Sequence, residues 1–419
     1  MGRNAIYLAI GFTILCLMSG LNLSRVSLDA FTNAINYQEN TNLLNIAEAG
    51  TNFACNQVFT TPNWRTGFQN VPFGGGTFSV NVNMVVNGTD SSRIQIVTGA
   101  KYQGQTDTIK ILLQPSLFSK FAYYSNVDPS SIVWANGDTV WGPYHTNGKI
   151  YVGGNPVFEG KTTAFQGVSL SSKSDKPQFN GGFQSGVSIT MPTDLSLVQS
   201  KAQQAGGGFY LATTNDFYLT FNKNGTVTYR NGTAGAWTTA PLTTFAGTNK
   251  VIVVNGGNIR IKGVVSGQVT IAAMSSTNSS NIATAKGQVF LDSSVVYNDN
   301  PIADPSSTDM LGICASNSIV ITDSANNNNP ANGINIQGSL FSLNQGLTAQ
   351  DYSTKSVAGS IHLLGGVSQQ QREPVGTLNG SGNLTTGYSK SYSYDQRMLV
   401  TAPPCFPTTG SYEILEWWE

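Results

Sequence analysis

The chain is apolar from Ala5 to Leu23 and continues without a proline until Pro62, in a polar but helix-compatible stretch that ends near Phe59. At about 1.5 Å per residue the apolar part reaches roughly 28 Å, enough to cross the hydrocarbon of a bilayer once. Beyond it, Val26, Phe31, Ile35, Leu43, Ile46, Phe53 and Ala54 recur at mostly helical intervals among Asn, Gln, Glu and Thr. That spacing predicts one helix over residues 1–60 with a single apolar stripe in its polar half and a membrane-length half at 5–23. Such a helix is roughly 80 Å long. No globular core surrounds a rod of that length, so part of it must bury its apolar surface in lipid or against other copies of itself. Arg3 precedes the span and Arg25 follows it, which gives only a small bias toward a cytoplasmic N-terminus.

Past Pro62 the period changes from helical to two. Residues 76–82, 93–98 and 108–113 alternate apolar and polar, with a turn at Asn87-Gly88, and predict an antiparallel meander of about three strands within residues 61–125. Its apolar face is the obvious partner for the helix stripe. From residue 126 to about 400 the texture is apolar doublets and triplets punctuated by glycine, as in residues 148–160, 165–170, 258–273, 286–292, 317–323, 333–343 and 358–367. These rungs of four to six residues read as a β-solenoid-like domain, with an irregular β-sandwich as the alternative. A short helix at Asp194 to Gln204 and a hairpin read as an insertion over 195–250. Residues 401–419 read as a C-terminal cap. The fold class is therefore mostly β with one long N-terminal α-helix.

Charged residues make up only 11% of the chain and the net charge is zero, with 45 glycines and abundant Asn, Ser and Thr. No basic run is present to neutralise phosphates, which excludes nucleic acid as a partner. Cys16 lies in the apolar span, where a thiol is a small hydrophobe. In an oxidising compartment Cys55, Cys314 and Cys405 leave an odd number, and a Cys314–Cys405 bridge pinning the tail is the preferred pairing. No CxxC occurs and no His lies near a Cys, so no metal site is predicted.

No catalytic residue or cofactor site is predicted. His145 and His362 are far apart in sequence and lack a serine elbow or nucleophilic cysteine, and His145 reads as capping the turn in residues 145–148. The densest acidic set, Asp292, Asp299, Asp304 and Asp309, fits no calcium loop and reads as loop solvation. The run Asn326 to Asn329 reads as a solvated turn. Sequons at Asn87, Asn224, Asn231, Asn278, Asn379 and Asn383 leave glycosylation open. Tyr388, Tyr392, Tyr394, Trp417 and Trp418 gather aromatic surface near the end; they are expected to cap the last rung, with a subunit contact or carbohydrate-stacking face as the functional version.

The opening MGRN, the segment from Ala5 to Leu23 and the closing Asn45 to Gly50, with Ala-Glu-Ala-Gly near the helix end, resemble the N-terminal segment of type IV pilins and pilin-like proteins, particularly the larger minor-pilin-like members. The remainder, from about Val71 to Glu419, resembles a less characterised bacterial envelope family joined to such a helix, through residues 142–154, 307–321, 387–398 and 402–407 and the closing Trp417-Trp418-Glu419. The chain departs from the common pilin pattern in one respect. Those pilins carry glutamate as the fifth mature residue; here that position is Ala5 if counting starts at Met1, or Tyr7 if a leader is cut after Gly2, and no acidic side chain lies between Met1 and Leu28.

The resemblance implies a structural subunit, not an enzyme. Such a subunit is held in the inner membrane before assembly, then transferred by the pilus assembly machinery into an extracellular, cell-surface filament, a homopolymer joined through its N-terminal helices. The expected assembly residues are Ile6, Leu8, Ile10, Phe12, Ile14, Leu15, Leu17, Met18, Leu21, Val26, Phe31 and Ile35. The alternative is a membrane-anchored, non-polymerising adhesin or carbohydrate-binding β-solenoid, with a polysaccharide-degrading enzyme as a weaker third reading.

Overall fold

The computed structural model describes residues 2–87, 90–379 and 383–419. The expected turn residue Gly88 and parts of the sequons at Asn87 and Asn379 lie outside the described residues. The chain is mostly β with one long N-terminal helix, and it divides into two compact units: residues 1–114 with 412–419, and residues 115–411.

In the first unit, helix α1 spans Gly2–Thr60 without interruption. Four of its threonine hydroxyls are satisfied internally: Thr13, Thr32, Thr41 and Thr51 each donate to the carbonyl four residues back, at 2.7–2.9 Å. Thr13 can therefore sit in an apolar segment without leaving a polar group unpaired. The antiparallel sheet is larger than the meander read from the sequence. It runs β1 (Phe68–Phe73), β2 (Gly76–Asn87), β3 (Asp90–Tyr102) and β4 (Gln105–Leu117), and the C-terminal strand Thr408–Trp418 lies beside β4.

One face of this sheet carries Phe78, Val80, Ile94, Ile96, Ala100, Ile109 and Ile111, all buried against Leu43, Ile46, Ala47, Ala54 and Val58 of α1. Gly50 allows the closest approach. A Cβ there would lie 2.7 Å from the Phe78 ring and 2.9 Å from Thr98 Cγ2. The apolar stripe anticipated over the whole polar half of the helix meets the sheet only from Leu43 onward; Val26, Phe31 and Ile35 stay exposed.

The tail is a correction. Residues 401–419 were expected to cap the last rung, but Tyr412 to Glu419 belong to the first unit, where Tyr412 packs on its core and Glu413 accepts a hydrogen bond from Gln114 at 3.0 Å. A strand beside an unpaired sheet edge gains backbone hydrogen bonds there, which a cap would not provide.

In the second unit the segments read as rungs form short strands that pair in parallel. One ladder joins, in spatial order, Gly208–Ala212, Val251–Asn255, Gln268–Met274, Met310–Ala315, Ile334–Ser342, Val357–Gln371, Tyr123–Val127, Tyr144–Thr146, Thr162–Ala164 and Phe183–Ser185. The order is not that of the sequence. The chain enters in the middle at Tyr123, winds to one end at Phe183, crosses back through residues 186–207, and restarts at the far end at Gly208. It then winds inward until Val367 lies beside Tyr123.

Both faces of this ladder are covered. Ile252 and Val254 point into one core with Ile271, Ile313, Leu340 and Val367. Val251 and Val253 point the other way, into a second cluster with Ala272, Cys314 and Phe341 that is closed by the crossing segment through Leu195, Val198 and Ala202. Two-sided burial is why residues 251–254 read as an unbroken apolar run.

The insertion expected over 195–250 is smaller than read. Its helix is α2, Ser196–Gln203. The hairpin's first strand, Asp216–Phe221, is itself a rung, paired in parallel with Asn258–Val265, and only Thr226–Asn231 and Thr238–Pro241 extend it antiparallel. Cys314 and Cys405, the pair expected to form a bridge, are thiols in this structure. Cys314 is buried in the second cluster, whereas the Cys405 thiol, packed against the same cluster, donates to the Asn249 carbonyl at 3.8 Å.

Candidate functional site

The residues anticipated for assembly share one property. Ile6, Leu8, Ile10, Phe12, Ile14, Leu15, Leu17, Met18, Leu21, Val26, Phe31 and Ile35 are all exposed, from 40% at Ile35 to 78% at Leu8. Among the described residues this is the one helix long and apolar enough to cross a membrane, with mean hydropathy 1.9 over its most apolar window and none of that window buried. Fully burying a large apolar side chain is worth about 1.5–3 kcal/mol, so the bare segment leaves on the order of 20 kcal/mol of transfer free energy unrealised. A surface of this kind demands a cover.

Its geometry has two zones. Up to Leu23 apolar residues lie on every side, the mark of a rod surrounded by lipid or by other helices. Beyond Leu23 the exposed apolar residues thin out to Val26, Leu28, Phe31, Ile35 and Tyr37, of which Leu28, Phe31 and Ile35 continue one line. Ile14, Leu17, Leu21, Leu28, Phe31 and Ile35 are spaced by three, four or seven residues, and Leu28, passed over in the sequence reading, completes the series. At about 100° per residue this line lies roughly a quarter turn away from the face of α1 that meets the sheet. The sheet therefore leaves it free.

The other candidate residues fall into structural roles. His145 does not cap a surface turn; it is fully buried on the strand Tyr144–Thr146. Its Nε2 lies 2.9 Å from Asn147 Oδ1, an oxygen that also accepts from the Ile189 amide at 3.0 Å. An amide oxygen only accepts, so Nε2 carries the proton and Nδ1 accepts from the Thr163 hydroxyl at 2.7 Å. Burial lowers the His145 pKa and keeps the ring neutral. His362 is exposed on Val357–Gln371.

The four aspartates do not converge. Asp292 holds Arg260 through two contacts of 2.6 and 3.0 Å, and Asp309 caps the Gly267 and Asp299 amides. Asp304 accepts from Ser306. No group of three or more potential metal ligands occurs among the described residues.

The asparagine run is not simply solvated. Asn327 is fully buried and donates to the Leu291 carbonyl at 2.8 Å and the Thr322 carbonyl at 3.1 Å. The aromatic set divides. Tyr388, Tyr392 and Tyr394 pack in the main core of the second unit, while Trp417 and Trp418 stand partly exposed on the C-terminal strand.

No family model matches the chain, and no curated protein matches it. Among solved structures, the crystal structure of competence-associated pilin ComZ from Thermus thermophilus aligns over 90% of this chain and 96% of that one, at 10% identity and a TM-score of 0.37. A likeness this distant carries no weight beside the geometry of α1 itself.

Proposed function

We propose that this protein is a structural subunit of an extracellular, type IV pilus-like filament that polymerises through its N-terminal helix. One observation carries the reading: the first forty residues of α1 are bare, apolar on every side up to Leu23 and along the line of Leu28, Phe31 and Ile35 beyond it, while its last turns are fixed to a sheet. Before assembly, residues 5–23 would lie in the inner membrane. The assembly machinery would then exchange acyl chains for the helices of other copies, a transfer with little loss of apolar burial. Head-to-tail, staggered packing of identical rods gives an open polymer and not a closed ring. The absence of an acidic side chain near the N-terminus removes one source of register, and the line of Leu21, Leu28, Phe31 and Ile35 supplies another by interdigitation.

The competing reading is a permanent anchor carrying an adhesin that never polymerises. It accounts for residues 5–23 but leaves Leu28, Phe31 and Ile35 wetted beyond the lipid, which favours the polymer. Replacing Leu15 or Leu17 with Lys places a charge in either environment and should abolish filaments in electron micrographs of sheared surface fractions. Abundant normal filaments from these variants would refute the proposal, and a wild-type protein retained wholly in membranes after shearing would favour the anchor.

A further inference from the structure

The second unit holds a cleft of about 850 Å³ between the ladder and residues 188–193 of the crossing segment. Asn344, Gln370, Asn126, Asn147 and Gln166 line it, and each lies at or just past the C-terminal end of a successive rung of the parallel ladder. Neighbouring strands stand about 4.8 Å apart, so five rungs carry this amide row over about 19 Å. The winding of the chain brings together side chains that are up to 244 residues apart in sequence, as with Asn126 and Gln370 (370 minus 126).

The row is ordered before any ligand arrives. Asn126 donates to Gln370 Oε1 at 3.2 Å, and Asn147 donates to Asn126 Oδ1 at 2.7 Å and to the Ile189 carbonyl at 2.7 Å. Tyr124 closes the back of the row with its hydroxyl on the same carbonyl, also at 2.7 Å. An amide has two N–H donors and two lone pairs: Asn147 spends all four on the Asn126 oxygen, the Ile189 carbonyl and amide and His145, and so holds the row in place, while Asn126 and Gln370 retain capacity for further bonds. Phe165, next to Gln166, is 51% exposed at the same cleft.

We infer that this cleft is a binding site for an extended neutral saccharide. No Asp, Glu, Lys or Arg lines it among the described residues, which argues against a charged polymer. Densely set amides that both donate and accept match hydroxyl groups that do the same, and an exposed phenyl ring offers a face for the apolar side of a sugar ring. The length of the row calls for several sugar units at once. An extended peptide is the poorer match, because peptides are held by an open strand edge, apolar side-chain pockets or charge, and the cleft presents strand ends and neutral amides. The inference does not rest on polymerisation. It applies equally to a subunit in a filament and to one in a membrane.

The test uses the full chain in a detergent without a sugar headgroup, titrated with maltohexaose, cellohexaose and chitohexaose, and in parallel with an alginate hexamer and a glycine–serine hexapeptide. Phe165 and Gln166 are exposed, so Phe165→Ala and Gln166→Ala should fold as the parent does. The expected result is saturable binding of at least one neutral hexasaccharide, weakened about tenfold in each variant and weaker still for the matching disaccharide. Three results would overturn the inference: no binding of any of the three hexasaccharides, binding unchanged in both variants, or preferential binding of alginate or the peptide.

Discussion

Arg372 lays its guanidinium 4.0 Å from the centre of the Trp134 ring, and both residues are almost completely buried. The pair ties the last part of one winding to the first part of another. Arg372 also donates to the carbonyls of Ile132 and Val133, while Gln369 donates to the Tyr123 hydroxyl at 2.6 Å and Ser368 to the Phe118 carbonyl at 3.1 Å. This is the junction at which the inward winding, arriving at Val367, meets the chain's point of entry at Tyr123.

Removing the guanidinium should therefore unlock the junction. Arg372→Met keeps most of the side-chain volume but leaves the Ile132 and Val133 carbonyls without their donor and the stacked ring without its cation. The expected loss is about 3 kcal/mol, read as a lower urea midpoint for the second unit. An unchanged midpoint would show that the junction is held by the backbone ladder alone.

The helix–sheet contact makes a second prediction, with opposing terms. In an exposed helix Gly→Ala gains about 1 kcal/mol. At Gly50 the added methyl would meet the Phe78 ring at 2.7 Å, and that ring is buried among Phe53, Phe68 and Phe73 and cannot retreat. Overpacking of this kind costs typically about 1–3 kcal/mol, so Gly50→Ala should lower the melting temperature of the first unit. A rise would mean that the helix stands further from the sheet than these distances show.

A third prediction concerns acid. Burial depresses the folded-state pKa of His145 below 6.5, so its contribution is fully present above pH 6.5 and is lost as the pH falls below that value. Glu373 acts in the opposite direction. Burial raises its pKa to about 7, so its contribution is complete below the ordinary value of 4.5 and diminishes as the pH rises toward 7. The informative quantity is the difference between the parent and His145→Gln, followed by thermal unfolding from pH 7.5 to 5. The parent should lose stability relative to the variant over the acid half of that range, and parallel profiles would contradict the tautomer and burial assigned to His145.

The thiols supply a fourth. Cys16 is exposed on the projecting helix, and burial raises the Cys55 pKa to about 11 and that of Cys314 further still. Thiolate is the reactive form, so a maleimide applied to the native protein should leave Cys314 unmodified until the chain is unfolded. Mass spectrometry that found Cys314 joined to Cys405 would contradict the thiol state described above.

Much of this architecture is written in local patterns, and what is missing is written in none. The helix Gly2–Thr60 follows from an unbroken run without proline, and the strands of the second unit sit on the apolar segments between glycines because two-sided burial selects such runs. Nothing in residues 123–127 marks them as partners of 367–371. That pairing depends on the crossing segment, 186–207, whose Leu195, Val198 and Ala202 look like any short amphipathic helix. The same limit hid the cleft. Asn126, Asn147 and Gln370 are ordinary surface residues in sequence, and only the stacking order puts them in one row. The tail's place is hidden for a related reason: Tyr412, Ile414, Trp417 and Trp418 favour a strand but do not say which sheet has a vacant edge.

The apolar line beyond the span remains the feature that most needs a partner. The most direct measurement is a cryo-electron microscopy reconstruction of material sheared from the cell surface. The account predicts a filament whose core is a bundle of the Gly2–Thr60 helices, with Leu21, Leu28, Phe31 and Ile35 of one copy seated against neighbouring helices and the β-units outside. Dispersed single copies, or a filament in which these four side chains face solvent, would contradict it.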